Sequence, residues 1–292
     1  MSLIDLHIHT RESDGTDTPE QVIRKAIELN ISILSITDHN LITAYDRLKD
    51  CIDAQNFSGR IITGAEFCAN FGSLLVDILG YGFDLEKMQK FINKRYDPER
   101  MDKKEKEIFL LIKEQLLERG FKFDPNLEYI PPFATEAFQK ELWKYPENLK
   151  RFPEALVKSP GLLYRYMNDP KSDLYMFEPY FPSCLEVVAA IHECGGLAFL
   201  AHPFIYLVDD FSVFLNEIVS QSGLDGVEVY YSLHNSDNIK YLLEFSRRNG
   251  LYVSGGSDYH GNKKIHIKLG TGINNTLSVP SDEIDLWLKK LL

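Results

Sequence analysis

The sequence predicts an α/β fold in which short parallel strands alternate with amphipathic helices, as they do in a (β/α) barrel. Strand and helix patterns alternate over residues 1–85, and the alternation returns from about residue 183. Nearly every strand pattern ends in a histidine or an acidic residue, and barrels gather their chemistry at the C-terminal ends of their strands. Residues 86–182 break this rhythm. We therefore expect a discontinuous barrel, formed by 1–85 and 183–292, with a helical insertion at 86–182.

The first segment supplies four strand patterns and two helix patterns. The strands are "LIDLHIH", "ISILSITDH", "RIITGAEFCA" and "LLVDILGYGF", and the helices are "TPEQVIRKAIELN" and "LITAYDRLKDCIDAQ". In the first helix Thr18 is the expected N-cap and Pro19 takes the first helical position. A strand–helix–strand order of this kind predicts a parallel sheet with crossover helices.

The insertion opens on "EKMQKFINKRYDPERMDKKEKEIFLLIKEQLLERG", which predicts one or two helices dense in charge. A stretch rich in Pro, Tyr and Phe follows, where short helices are expected. We interpret the insertion as a cap over a reactive site, because such covers exclude water. A purely structural appendage is the alternative.

The second segment repeats the alternation of helix and strand. Its helix patterns are "SCLEVVAAIHECGG", "DFSVFLNEIVSQSG" and "SDNIKYLLEFSRRNG", and its strand patterns are "LAFLAHP", "LDGVEVYY" and "LYVSGGSDYHG".

Composition narrows the class of partner. The 292 residues carry 43 acidic and 32 basic side chains, a formal net charge of −11, which disfavours binding to duplex nucleic acid. A small phosphorylated substrate, such as a nucleotide or a short oligonucleotide, stays compatible with a local cationic site. No apolar run predicts a membrane span. Four cysteines without a CxxC pair, and an N-terminus without the pattern of a signal peptide, favour a cytoplasmic protein with reduced thiols.

Histidines and acids at the strand ends form the candidate site. They are His7, His9, Asp14, Asp38, His39, Glu66, Asp77, His202, Glu228, Asp258 and His260. Residues two apart on a strand share one face, so the "HIH" imidazoles can reach a common point, as can the two side chains of "SDYH". Imidazole with carboxylate is the ligand set of zinc, manganese and iron, and no thiolate belongs to any of these motifs.

The sequence indicates substrate-binding residues less clearly than metal ligands. Arg100, Lys103, Lys104, Lys158 and Arg165 are the cationic candidates in the insertion, and the apolar surroundings "LLYRYMN" favour Arg165. His234 follows a strand and is a candidate substrate contact. His192 and His266 are interpreted as structural residues.

These motifs resemble the polymerase-and-histidinol-phosphatase (PHP) family of metal-dependent phosphoesterases. The resemblance rests on "DLHIHT…SDG…PEQVIRKA…ITDHN", "GAEF", "DILGY", "GGLAFLAHP", "VEVYY" and "GSDYHG", over residues 3–85 and 183–275. It implies a distorted (β/α)7 TIM-like barrel with two or three divalent metal ions (Mn, Fe or Zn) at its mouth. The insertion is similar to that of the nucleoside 3′,5′-bisphosphate phosphatase branch.

The resemblance implies three metal sites. The first site would use His7, His9, Glu66 and Asp258. The second site would use Glu66, Asp77 and His202. The third site would use Asp14, His39 and His260. The family usually has a histidine where this chain has Asp77. An oxygen ligand in place of nitrogen favours manganese or iron over zinc at the second site.

The expected activity is hydrolysis of a phosphomonoester by metal-activated hydroxide. The substrate would be a nucleotide such as a nucleoside 3′,5′-bisphosphate, or the 5′ end of a short oligonucleotide. His39 and His202 are candidates for protonating the leaving group, and Asp38 is expected to orient a ligand, while the role of Glu228 stays open. The alternatives are a histidinol-phosphate phosphatase and a non-catalytic metal-binding accessory module. The sequence predicts no oligomeric state.

Overall fold

The computed structural model describes residues 3–158, 160–176 and 180–291. They form two compact units. One runs through Ala69, then from Val76 to Lys94, and from Pro182 onward; the other comprises Asn70–Leu75 and Arg95–Phe181. Residues 159 and 177–179 of the predicted insertion, and residues 1, 2 and 292 of the predicted barrel segments, lie outside the described part.

A seven-stranded sheet forms the centre of the first unit. Its strands are β1 (Leu3–Asp5), β2 (Ile31–Ile36), β3 (Arg60–Phe71), β4 (Leu74–Tyr81), β5 (Leu197–Leu200), β6 (Gly226–Tyr231) and β7 (Tyr252–Gly256). They lie in sequence order, and the pairs β1–β2, β2–β3, β5–β6 and β6–β7 are parallel. The predicted α/β class and its mostly parallel sheet are confirmed. A short antiparallel pair, β8 (Ile267–Lys268) with β9 (Gly272–Ile273), stands apart from this sheet.

The expectation of a wholly parallel sheet was wrong at one strand. β4 runs antiparallel to β5. Only Gly72 and Ser73 separate β3 from β4, and Gly72 has φ +58°, a left-handed turn conformation that glycine adopts readily. Two residues cannot make the crossover that parallel neighbours need, so the chain reverses there.

Backbone hydrogen bonds join the two ends of this sheet. Leu6 N donates to Gly255 O at 3.2 Å, Asp258 N to His7 O at 2.8 Å, and His9 N to Tyr259 O at 2.8 Å. The segment that follows β1 therefore lies beside the segment that follows β7, which brings the "HIH" and "SDYH" motifs together.

Helices connect the strands of the first unit. They are α1 (Pro19–Glu28), α2 (Thr43–Lys49), α3 (Ile52–Gln55), α4 (Leu85–Arg95, whose last residue is assigned to the second unit), α10 (Cys184–Glu193), α11 (Phe211–Ser222), α12 (Ser236–Asn249) and α13 (Ser281–Leu288). Thr18 caps α1 as predicted, and its hydroxyl accepts from Gln21 N in a capping box. The single helix predicted after β2 is two helices, because the chain turns at Asp50 and Cys51.

An apolar cluster around Trp287 fixes one side of the sheet. Trp287 is fully buried, stacks on Tyr81 at 5.4 Å between ring centroids, and lies 5.1 Å from Phe199. Its indole Nε1 donates to Val253 O at 2.9 Å, so the only polar atom of the side chain is satisfied. The C-terminal helix is thereby attached to β4, β5 and β7, three strands that lead into the candidate site.

The second unit is helical, and five α-helices are described in it. They are α5 (Pro98–Glu118), α6 (Glu136–Glu141), α7 (Pro146–Leu149), α8 (Glu154–Lys158) and α9 (Leu163–Asn168). On the charged helix α5, Glu105 is buried; its carboxylate accepts from Ala134 N at 2.6 Å and from the hydroxyls of Tyr164 and Tyr180. Among the described helices none is both long and apolar enough to cross a membrane.

The four cysteines are buried and none is in a disulfide. Burial raises the pKa of the Cys184 thiol from 9.0 to about 11. The folded chain thus keeps a proton that the unfolded chain releases between these values, so stability falls as pH rises through that window. We expect wild type to lose more stability than Cys184→Ala between pH 8.5 and pH 10.5, measured by urea unfolding at each pH. Equal losses in the two proteins would contradict this assignment.

Candidate metal centre

Strands and the loops after them carry every candidate ligand of the first unit. His7, His9 and Asp14 follow β1, Asp38 and His39 follow β2, Glu66 lies in β3, Asp77 in β4, His202 follows β5, Glu228 lies in β6, and Asp258 and His260 follow β7. Asn40 N donates to Glu66 O at 2.8 Å, and Glu66 N to Asp38 O at 3.2 Å, which places His39 beside Glu66. The residues selected from the sequence therefore meet at one end of the sheet.

The Glu66 carboxylate connects two groups of ligand atoms. Its Oε2 lies 3.3 Å from His7 Nε2 and 3.2 Å from His9 Nε2, while its Oε1 lies 2.9 Å from His202 Nε2. His202 Nε2 is also 3.7 Å from Asp77 Oδ2. Each oxygen of one buried carboxylate thus faces a different cluster.

The Asp14 carboxylate gathers a third group. Its Oδ1 lies 3.2 Å from His260 Nε2, 3.5 Å from His9 Nδ1 and 3.9 Å from His39 Nε2. His9 contributes one ring nitrogen to this group and the other to the Glu66 group, so the clusters are contiguous.

These spacings fit divalent metal ions. Metal–ligand bonds of about 2.0–2.2 Å place neighbouring ligand atoms roughly 3.0–3.5 Å apart. The two imidazole nitrogens His7 Nε2 and His9 Nε2 are 3.1 Å apart, and His9 Nε2 lies 3.5 Å from Asp258 Oδ1. Ring nitrogens and carboxylate oxygens are the donor set of zinc, manganese and iron. Buried carboxylates in such number need compensating cations.

The protonation states also suit metal binding. Burial lowers the pKa of His9 to about 4, with a further decrease from His260. Burial likewise lowers the pKa of His39 to about 4. Burial alone would raise the pKa of Glu66, but His7 and His39 outweigh it and hold that pKa well below its usual value. At neutral pH His9 and His39 are therefore neutral imidazoles and Glu66 is an ionised carboxylate, the forms that bind metals. His7 differs, because Glu228 and Glu66 outweigh the effect of its burial and raise its pKa well above the usual value.

Two further carboxylates orient these groups. Glu228 accepts from His7 Nδ1 at 2.9 Å and from His202 N at 2.7 Å, which turns the Nε2 of His7 toward Glu66. Asp38 accepts from Thr10 N and the Thr10 hydroxyl, both at 2.7 Å, and from the Ser13 hydroxyl at 2.6 Å. It therefore fixes the loop that carries Asp14. Such outer partners set the tautomer and position of ligands.

Two candidate ligands have strained backbones. His202 has φ +29° and Asp258 has φ +59°, in the left-handed region that residues other than glycine seldom occupy. Strain of this kind persists where the surrounding structure enforces it, and it is concentrated at functional sites.

Gly256 leaves the space that His7 occupies. A Cβ at this position would lie 2.3 Å from His7 N and 2.5 Å from His7 Cβ. Because backbone cannot give way as a side chain can, we expect Gly256→Ala to lower stability by about 1–3 kcal/mol and to weaken metal binding. Thermal unfolding and calorimetric metal titration measure both. Gly161→Ala, where no atom lies within 4 Å, is the control, and equal behaviour of the two variants would disprove the expectation.

Several residues near these ligands were not singled out from the sequence. Lys264 Nζ donates to Asp258 Oδ2 at 2.8 Å, and Lys263 Nζ to Asp14 Oδ2 at 3.0 Å. The Tyr231 hydroxyl donates to Asp258 Oδ2 at 2.9 Å. Buried Asp5 accepts from Ser257 N at 2.8 Å and holds the loop that leads to Asp258. The position of the lysine pair, separated from "SDYHG" only by Asn262, was the available signal.

The structure also locates the three residues that were predicted to contact substrate. His234 Nδ1 donates to Val229 O at 2.8 Å, and its ring meets that of Tyr231 edge-on at 5.1 Å. Arg100 and Arg165 belong to the second unit, where Arg100 is exposed on α5 and Arg165 donates to Leu75 O at 3.0 Å. Their contact with substrate stays a prediction. His192 pairs with Asp225 at 2.7 Å.

Comparison with curated proteins identifies relatives along most of the chain. A 3′,5′-nucleoside bisphosphate phosphatase of Chromobacterium violaceum is 27% identical over 271 residues, which are 89% of this chain and 88% of that protein. The 5′-3′ exoribonuclease Rnm of Escherichia coli is 25% identical over 88% of this chain and 85% of its own length. A phosphoribosyl 1,2-cyclic phosphate 1,2-diphosphodiesterase of Eggerthella lenta is 27% identical over 88% and 94%.

Structural comparison agrees on the fold. A candidate metal-dependent phosphoesterase from Bifidobacterium adolescentis aligns over 99% of this chain and 96% of its own, with a TM-score of 0.65 and 22% identity. Residues 5–144 match the family model described as the PHP domain. Together with the ligand clusters above, these matches show that the chain resembles PHP-domain phosphoesterases, with the family match covering residues 5–144.

Proposed function

We propose that this chain hydrolyses a phosphomonoester of a small phosphorylated metabolite, namely a nucleotide such as a nucleoside 3′,5′-bisphosphate. The observation that carries the proposal is the contiguity of three ligand clusters through Glu66 and His9. The choice of substrate is supported by the similarity to the bisphosphate phosphatase, which extends over 89% of the chain.

The proposed cofactors are two or three divalent ions of manganese, iron or zinc. The ligands of the first ion would be His7, His9, Glu66 and Asp258. Those of the second would be Glu66, Asp77 and His202, and those of the third Asp14, His39 and His260. When bound, such ions lower the pKa of water and neutralise charge on phosphoryl oxygens.

The other residues would position the metal ligands or neutralise the charge of the substrate phosphate. Asp38 and Glu228 hold the Asp14 loop and the His7 ring, so they are positioning residues. Lys263 and Lys264 place cationic side chains beside the carboxylates, where they suit the non-bridging oxygens of a substrate phosphate. His39 and His202 can donate a proton to the leaving oxygen only through a ring nitrogen that binds no metal.

The finer architecture is part of the same proposal. The three backbone bonds between residues 6–9 and 255–259 support closure of the sheet into a distorted (β/α)7 barrel. The division into a barrel (1–85 and 183–292) and an insertion (86–182), and the role of the insertion as a cap, stay predictions.

A substrate panel tests the function. The manganese-loaded protein is assayed for phosphate release from adenosine 3′,5′-bisphosphate, L-histidinol phosphate and a 5′-phosphorylated tetraribonucleotide. We expect kcat/KM for the bisphosphate to exceed that for histidinol phosphate by at least about 100-fold, or roughly 2.7 kcal/mol. A preference for histidinol phosphate would replace the proposed substrate. Absence of turnover with metals bound would favour the non-catalytic metal-binding module.

Exonucleolytic release of 5′ nucleotides is the second candidate. It is favoured by the 25% identity to an exoribonuclease over 88% of the chain. Chromatography of the tetraribonucleotide products distinguishes the two, because a phosphatase releases phosphate and leaves the chain length unchanged, whereas an exonuclease releases mononucleotides.

A further inference from the structure

Cys68 lies on the same strand as Glu66. It follows Glu66 by two positions in β3, and successive side chains of a strand alternate between faces, so Cys68 and Glu66 share one face. The Cys68 side chain is buried, and its backbone N donates to Asn40 Oδ1 at 2.8 Å. This bond attaches Cys68 to the residue that follows His39.

The thiol sits among proposed ligands. Cys68, His39 and Asp77 each offer a ligand atom, and these three atoms all lie within 4.8 Å of one another. Asp77 Oδ2 is 3.7 Å from His202 Nε2, and His39 Nδ1 is 3.3 Å from Glu66 Oε2. Among the residues that the structure describes, Cys51, Cys184 and Cys194 belong to no such group.

We propose that Cys68 is an additional metal ligand beside Asp77. The thiol proton is released to solvent as a sulfur–metal bond forms. A thiolate is a soft ligand that favours zinc over manganese, so Cys68 opposes the preference that the Asp77 oxygen would create alone. The inference rests on the proposed metal centre and adds to it a ligand and a selectivity.

Cobalt substitution tests the sulfur–metal bond directly. Cobalt(II) bound to a thiolate has a near-ultraviolet charge-transfer band that histidine and carboxylate ligands do not produce. We expect this band in the cobalt-loaded wild type and in Cys184→Ser, and its loss in Cys68→Ser, in which a hydroxyl of similar size replaces the thiol. A wild type without the band, or a Cys68→Ser variant that retains it, would overturn the inference.

Metal competition tests the selectivity. We expect the ratio of zinc to manganese affinity to fall at least about tenfold in Cys68→Ser and to stay unchanged in Cys184→Ser, measured by metal analysis after equilibrium dialysis. An unchanged ratio in Cys68→Ser refutes the role of the thiolate. If wild type binds metals and hydrolyses the bisphosphate, but its cobalt-loaded form lacks the charge-transfer band, the inference fails and the proposed function stands. If wild type binds no metal, both fail.

Discussion

Glu66→Gln is expected to lose phosphatase activity by at least about 1,000-fold, which corresponds to roughly 4 kcal/mol of transition-state stabilisation. Both oxygens of Glu66 are in use: Oε2 faces His7 and His9, and Oε1 faces His202. The amide keeps the shape of the side chain but has one neutral oxygen and one NH₂ group in place of two charged acceptors. It can therefore no longer join two clusters. Initial rates under saturating manganese, together with metal stoichiometry, measure the effect.

The matched control is Glu217→Gln, the same substitution on the exposed face of α11. It should keep wild-type rates and metal content. Circular dichroism establishes that both variants fold. A folded Glu66→Gln protein that retains more than about a tenth of wild-type activity would show that Glu66 joins no metals, and the shared-carboxylate arrangement would have to be abandoned.

The convergence of the ligands was predictable because topology brings the ends of strands together. "HIH" and "SDYH" each fix two side chains by local geometry, and the parallel order of β1, β2, β5, β6 and β7 then leaves one end of the sheet for both. His202 and Asp258 were found from their positions after strand patterns. Their left-handed φ values of +29° and +59° were not predictable, because the surrounding packing imposes them.

The reversal at β4 and the lysine pair were missed for different reasons. "NFGSLL" contained a turn signal, yet the strand that follows it resembles a parallel core strand in hydrophobicity. Lys263 and Lys264 lie on a short 3-10 helix, Gly261–Lys264, whose direction depends on Gly261 at φ +64°. Which carboxylate a flexible lysine reaches is decided by tertiary structure and has no local pattern.

Charge pattern alone does not reveal the environment of Glu105. A charged run such as "ERMDKKEKE" is typical of a solvated helix face, and most of this run is exposed, but Glu105 is 2% exposed. Tyr164, Tyr180 and Ala134 N, all distant in sequence, supply its hydrogen bonds. The same limit applies to Cys68, since membership of a ligand cluster depends on Asp77 from the neighbouring strand.

Removal of metal is expected to abolish activity and to lower the unfolding temperature by about 5–10 °C, relative to protein with metal at a hundredfold excess over Kd. The site holds Asp14, Glu66, Asp77 and Asp258 at side-chain exposures of 1–9%, and cations that bind only the folded chain offset their mutual repulsion. Lys263 and Lys264 already pair with Asp14 and Asp258, so a part of this compensation remains without metal, and the chain should still fold.

Scanning calorimetry before and after dialysis against a chelator measures the shift in unfolding temperature. Addition of manganese should restore both the activity and the unfolding temperature. In Glu66→Gln the shift should be much smaller, because the joined clusters are lost. Full activity with less than 0.1 equivalent of bound metal would instead show that the imidazoles and carboxylates act without ions.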